Sequence, residues 1–231
     1  HILNVLFPRT REEELSFGLI PIGTGSDLAR GLKLASKPEH VLRQALQSKP
    51  RRMDILRLKT KSGDRYLINV ASLGLSAPVV AHVNSLSHRN TLTFLSTSLK
   101  VLLTHDPHWV SIRLDGKFWR EGSYYLAVVA NGSCFAKGMR IAPNADPHDG
   151  YANVVFIEAV PKTTILRWLP TVYLGKHFKA PFVHWAQARE VEFETHDDHP
   201  IFEGDGELTL PAPGNITLIP GAVRFCGTAL T

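Results

Sequence analysis

The chain has 231 residues, of which 44% are hydrophobic, 20% charged and 9% aromatic, a composition that excludes a disordered, collagenous or coiled-coil protein. Its 26 Lys+Arg against 21 Asp+Glu leave a formal charge of +5, a mild basic excess that suits anionic partners such as nucleotides and lipid head groups. Two distant cysteines make neither a disulfide framework nor a four-ligand zinc site, no basic stripe interleaves with aromatics as nucleic-acid binding would need, and no run of about 18 apolar residues exists to span a bilayer.

In chain order, HILNVLF (His1 to Phe7) reads as the end of a helix. Leu15 to Gly23 reads as a short buried strand that stops at a proline and a glycine. Thr24 to Leu32 then opens a helix with Asp27 in its first turn. Pro38 to Gln47 is a clearer helix, with proline at its first position and Val41, Leu42, Ala45 and Leu46 on one face. Strand, glycine turn and helix in that order are the grammar of an α/β domain.

After Lys49-Pro50 the texture changes. Ile55 to Lys59 and Tyr66 to Val70 read as strands joined through Ser62-Gly63-Asp64, and Asn90 to Leu103 as a helix with Leu92, Leu95, Leu99 and Leu102 in register. Val110, Ile112 and Leu114 alternate with polar residues ahead of an Asp115-Gly116 hairpin turn. Tyr124 to Ala130 and Ala152 to Ile157 are apolar strands, and Pro161 to Leu174 is an amphipathic helix interrupted by Pro170. Five short strands close the chain, at 190–195, 201–203, 207–210, 216–219 and 223–226. The reading is α/β plus β: an N-terminal α/β piece over 1–50, then a larger, mainly antiparallel β domain over 51–231.

Three segments carry residues suited to chemistry. In Pro21-Ile22-Gly23-Thr24-Gly25-Ser26-Asp27-Leu28-Ala29-Arg30, the glycines let backbone approach a ligand, and N–H groups at a helix start favour phosphate. Thr24 and Ser26 add hydroxyls, and Asp27 either caps the helix or orients a magnesium ion through water. In Asn131 to Gly150, Asp146 and Asp149 flank a proline turn at a spacing that suits a hard cation, although an ordinary Asp-rich turn has the same spacing. In Phe202-Glu203-Gly204-Asp205-Gly206-Glu207, three carboxylates lie between two strands, where one could take a proton from an alcohol; a hairpin with surface acids reads the same way.

Taken together and in order, PIGTGSDLARGL, the Arg-Arg-Met-Asp strand, INVASLGLSA, NG…GMRIAPNA…DG, LGKH and the late DGE resemble the diacylglycerol kinase catalytic-domain family, which includes bacterial lipid kinases and the sphingosine and ceramide kinases. The resemblance covers nearly the whole chain. It implies ATP-dependent phosphorylation of a lipid hydroxyl in a cleft between a truncated N-terminal α/β nucleotide-binding domain and a β-sandwich-like C-terminal domain. By this resemblance Gly23, Thr24, Gly25, Ser26 and Asp27 contact ATP. Asp146, Asp149 and the Tyr151 carbonyl hold Mg2+ in a mainly structural role. Asp205 and Glu207 supply the catalytic base, with Glu207 favoured. The implied partner is a lipid substrate at a membrane surface, with a cytoplasmic, at most peripheral, location. An edge-rich β domain is also compatible with a homodimer.

The departures are specific. The family's Gly-Gly-Asp-Gly-Thr signature is absent and would lie just before HILNVLF, so the expectation is a truncated chain that turns over poorly alone. Ser26 replaces Asn, Leu28 replaces Phe, Ala136-Lys137-Gly138 replaces a more glycine-rich run, and His148-Asp149-Gly150 has one acid fewer than Asp-Asp-Gly. A non-catalytic membrane-surface module and an NAD kinase-like nucleotide kinase are the rival readings.

Overall fold

A computed structural model describes residues 2–10, 16–22, 25–35, 37–86, 91–196 and 200–227. Within them the alternation read after Lys49 becomes one large, mainly antiparallel sheet. Its strands are β2 (Arg51–Thr60), β3 (Gly63–Leu67), β4 (Val70–Gly74), β5 (His108–Leu114), β6 (Lys117–Ala130), β7 (Ala152–Glu158), β8 (Val183–Ala188), β9 (Glu190–Thr195), β10 (Ile201–Gly204), β11 (Glu207–Pro211) and β12 (Gly214–Cys226). They run in the order β11-β10-β4-β6-β5-β9-β12-β2-β3, with β7 and β8 branching from the long β6. The end strands β3 and β11 approach one another, so the sheet is nearly closed. A closed sheet leaves few unpaired backbone groups at its edges.

The sheet encloses a core that includes Leu58, Leu73, Ile112, Tyr124, Phe156, Phe202 and Ile216. Each fully buried aliphatic side chain there contributes roughly 1.5–3 kcal/mol. A second core, with Val128, Ile141, Val155, Val172 and Phe182, lies under helix α6 (Lys162–Tyr173). A third joins Phe7 of α1 (Ile2–Thr10) to Met53, Ile55 and Phe225. The N-terminal piece thus shares a core with β2 and β12, and β1 (Ser16–Gly18) adds a short parallel ladder to the end of β12.

Several sequence expectations shift here. The strand expected over Leu15 to Gly23 pairs only over three residues, and the helix expected over Thr24 to Leu32 is the five-residue α2 (Asp27–Gly31). The last two strands are one strand, β12, whose pairing with β2 shifts between Ile219 and Val223, where Pro220 has no N–H to offer the ladder. Helix α3 (Pro38–Gln47) and α5 (Thr91–Thr104) lie where the pattern places them, and Pro170 stays within α6. The sequence reading missed α4 (Ser76–Asn84) and β8. No helix among the described residues is long and apolar enough to cross a membrane.

Candidate functional site

The turn between β10 and β11 places Asp205 and Gly206 at positive φ, 51° and 88°, the geometry of a tight hairpin in which glycine carries no steric penalty. In that conformation the Asp205 carboxylate points back across the sheet. It accepts the backbone N–H groups of Ile68, Asn69 and Val70 at 2.8, 3.0 and 3.0 Å. Burial pushes the Asp205 carboxyl upward and the three amides oppose that push. The Asp205 oxygens thereby organise the link from β3 to β4, and Asp205 also lines the cavity described below. Glu207, expected as the base, begins β11 opposite Gly204, is exposed, and does not line the cavity described below.

The organised link reaches the second segment. Asn131 donates from Nδ2 to the carbonyls of Asp54 and Ile68, both at 2.8 Å, and Asn69 donates to the Cys134 carbonyl at 3.0 Å. Gly132 lies so close to Asn69 that a Cβ there would meet its Oδ1 at 2.1 Å. The NG pair read from the sequence is thus a packing requirement.

Asp27 closes the third side. Its carboxylate accepts the N–H groups of Lys137 at 2.8 Å and Gly138 at 2.7 Å, and Arg30 lies 3.3 Å away. Burial raises its carboxyl, while the two amides and the nearby Arg30 and Lys137 charges lower it. Ala136 and Lys137 both have positive φ, 51° and 63°, so this carboxylate holds a loop that side-chain-bearing residues rarely adopt. Asp27 is the first residue of α2, and Ser26 holds the capping position. Ser26 precedes α2 in a left-handed conformation without a side-chain cap. Gly23 and Thr24 lie outside the described residues.

These segments surround a cavity of about 660 Å³. Its walls are mostly apolar: Val79, Val80 and Val83 of α4, Phe94, Leu99 and Leu102 of α5, Ile165, Trp168 and Leu169 of α6, and Tyr125 and Leu126 of β6. Gly25, Ser26, Asp27, Asn69, Lys137, Glu203 and Asp205 also line it. Lys137 Nζ is buried over the Phe94 ring, 5.7 Å from its centroid. Glu203 is the one of the segment's three carboxylates that the sequence reading left without a role. It is 3% exposed and accepts Ser72 Oγ at 2.5 Å and the Gly206 N–H at 2.8 Å. Burial pushes its carboxyl up to about 7 against the pull of those two bonds.

The expected magnesium residues form a compact turn. Asp146 accepts the His148 N–H at 3.0 Å and Asp149 the Tyr151 N–H at 2.8 Å, each through one oxygen. Burial raises the Asp149 carboxyl, and the Asp146 and Asp54 charges push it further. Two carboxylates and the Tyr151 carbonyl are oxygen donors of the kind a hard cation takes. The turn is anchored by Asp54, 2% exposed, which accepts Gly150 N–H at 2.8 Å and Gly221 N–H at 2.6 Å. Among the described residues, no cluster of three or more His, Cys, Asp or Glu side chains is arranged to hold a metal.

Comparison with known proteins agrees with this architecture. The diacylglycerol kinase catalytic domain family model matches residues 1–58, and the YegS C-terminal NAD kinase beta sandwich-like domain model matches residues 69–227. A diacylglycerol kinase of Mycobacterium tuberculosis is 26% identical over 214 residues, covering 91% of this chain and 69% of that protein. A Chromohalobacter salexigens protein named "Probable lipid kinase YegS-like" is 29% identical over 226 residues, covering 96% and 70%. The crystal structure of a diacylglycerol kinase from Bacillus anthracis str. Sterne matches in fold with a TM-score of 0.75 at 20% identity, covering 97% of this chain and 72% of that one. With the β-sandwich model spanning most of its length behind a catalytic-domain segment, the chain belongs to the diacylglycerol kinase and YegS-like family of lipid kinases.

Proposed function

We propose that the protein is an ATP-dependent lipid kinase that transfers the γ-phosphoryl group to the hydroxyl of a diacylglycerol- or sphingoid-type lipid. The cavity carries this reading. Its volume lies in the range of small-molecule sites, and its apolar walls suit a hydrocarbon chain. Burying each methylene there would contribute about 0.8 kcal/mol. The polar groups in its wall suit the head group and the phosphates.

Phosphoryl transfer needs positioning and charge neutralisation more than covalent help from the protein. In this reading Gly25, Ser26 and Asp27 stand on the nucleotide side, with the loop contributing more than α2, which is too short to sum a helix dipole. Asp27 acts through the 136–138 loop by fixing its amides. Asp146, Asp149 and the Tyr151 carbonyl would hold Mg2+, whose charge would neutralise the turn. A carboxylate of the β10–β11 turn takes the acceptor's proton; Glu207, next to Gly206 of the cavity wall, is the expected one and would have to turn toward the cavity to do so.

The test is transfer of labelled phosphate from ATP to diacylglycerol and sphingoid bases in mixed micelles, using the longest form of the protein its gene encodes. A labelled phospholipid is expected, and Glu207→Gln should lower turnover by about 10²–10⁴-fold if that residue is the base. Label appearing on a dinucleotide, or lipid binding with no transfer to any lipid, would overturn the reading.

A further inference from the structure

One carboxyl in the cavity wall is wired to the cavity through hydroxyls. Glu203 Oε1 is held by the Gly206 N–H, and Oε2 by Ser72 Oγ of β4. Ser76 Oγ, on the first residue of α4, lies 2.7 Å from Ser72 Oγ, and Ser76 lines the cavity. A hydroxyl line from this buried carboxyl to the cavity therefore runs Glu203, Ser72, Ser76. We propose that Ser76 is the seat of the substrate's hydroxyl in this cavity, with Ser72 and Glu203 as positioning residues that set the direction of its hydrogen bond. The inference rests on the lipid reading of the cavity given above.

The direction follows from donor and acceptor counting. An ionised carboxylate only accepts. Ser72 must then donate to Glu203 and Ser76 to Ser72, which leaves a lone pair of Ser76 facing the cavity. In that state the seat accepts, so an alcohol satisfies it and an ether does not. A protonated Glu203 can donate to Ser72, Ser72 to Ser76, and Ser76 into the cavity, where alcohol and ether oxygens serve equally well. Burial places this change near neutral pH, because it lifts the Glu203 carboxyl to about 7. The other ionisable groups are Asp205, whose charge adds to that lift, Glu207, which pairs with the adjacent Gly204, His82 of α4, the helix packed against β10, and Asp27, Lys137, Tyr125 and His177 elsewhere in the cavity wall. The residues facing Glu203 from β4 and β11 are Ser72 and Leu208, neither of them ionisable. Among the described residues, Glu203 alone of these groups is joined to Ser76 through Ser72.

The probe is a matched pair, 1-dodecanol and its methyl ether, titrated below their aggregation limits into the protein at about pH 5.5 and about pH 8.5, either side of the ordinary range of a lifted carboxyl. Binding is read from tryptophan emission, since Trp168 lines the cavity, and checked by calorimetry. At the higher pH the wild type should prefer the alcohol by about tenfold, the worth of one hydrogen bond to a charge-linked acceptor. At the lower pH the two should bind within about twofold. Ser76→Ala should remove the preference at both pH values while still binding the ether, which shows the cavity intact. Glu203→Gln should make whatever preference it has independent of pH. Equal binding of the pair by the wild type at both pH values, or a preference that survives Ser76→Ala, would overturn the seat and leave the lipid cavity standing. Binding of neither compound would overturn the lipid cavity, and the seat with it.

Discussion

Replacing Glu203 with Gln keeps the shape of a buried side chain and deletes its titration. In the folded protein burial lifts this carboxyl from 4.5 to about 7, roughly 2.5 units, which at about 1.4 kcal/mol per unit is about 3 kcal/mol. Between those two values the unfolded chain has released its proton and the folded chain still holds one. The unfolded state then binds fewer protons, so stability falls as pH rises through this window and the loss is complete just above about 7. His105 and His177 act in the opposite sense, because burial lowers both, and folding then grows more stable as pH rises through their range. The difference between wild type and Glu203→Gln cancels the histidines and isolates the carboxyl. For a chain of this size roughly 2–4 °C accompany each kcal/mol. The variant should therefore gain about 6–12 °C on the wild type between about pH 4.5 and about pH 8. Calorimetric or circular-dichroism melts across that series, at constant ionic strength, measure it. The Gln amide meets Ser72 and Gly206 less well than a carboxyl, which moves the whole difference curve without changing its slope. A difference that stays flat to within about 1 °C would refute the reasoning, since Glu203 would then titrate alike in the folded and unfolded chain.

Two further outcomes follow from the other carboxylates. Asp205→Asn offers one carbonyl oxygen and an NH2 group where three amides need acceptors, so it should cost about 2–4 kcal/mol in urea denaturation and speed hydrogen exchange at Ile68 and Val70. Unchanged stability together with lost turnover would refute the structural role and favour the chemical one that the resemblance implies for Asp205. Asp149→Asn should lessen the rise in melting temperature that magnesium gives the wild type, by removing one of two crowded acids; equal rises in both proteins would place the ion elsewhere.

The β half was legible because its strands carry their own pattern. β5 alternates in burial residue by residue, and Asp115-Gly116 turns the hairpin with φ of 48° and 76°. Helix α4 was not legible because Asn69, Gly74 and Pro78 punctuate its approach, yet Pro78 sits in its first turn, where a missing N–H costs nothing. β8 hides because Trp185 and Gln187 face solvent on an outer strand that pairs only with β7. At the site, the motifs place Asp27, Asp205 and Gly206 on the cavity wall but do not tell the carboxylates of the β10–β11 turn apart. Asp205 and Glu207 look alike in sequence because both flank Gly206. Only the positive φ at Asp205 aims its oxygens at Ile68, Asn69 and Val70. Glu203 was seen as one acid among three, since nothing in the local sequence reveals Ser72, 131 residues away.

The carboxylates of the cavity wall and of the neighbouring 146–151 turn divide by the chemistry of their partners. Asp27, Asp54 and Asp205 each accept two or three backbone N–H groups. An amide donates and cannot reverse, so these acids act as fixed ties. They also hold residues such as Ala136, Lys137 and Asp205 itself at positive φ, a state costing about 1–2 kcal/mol per residue without such support. The loops are thereby shaped before any ligand arrives, which is what transfer by positioning requires. Glu203 differs because one of its two partners is a hydroxyl, and a hydroxyl can turn from donor to acceptor. Proton-linked behaviour in the cavity wall therefore concentrates at the one carboxyl whose hydrogen-bond chain is able to run either way.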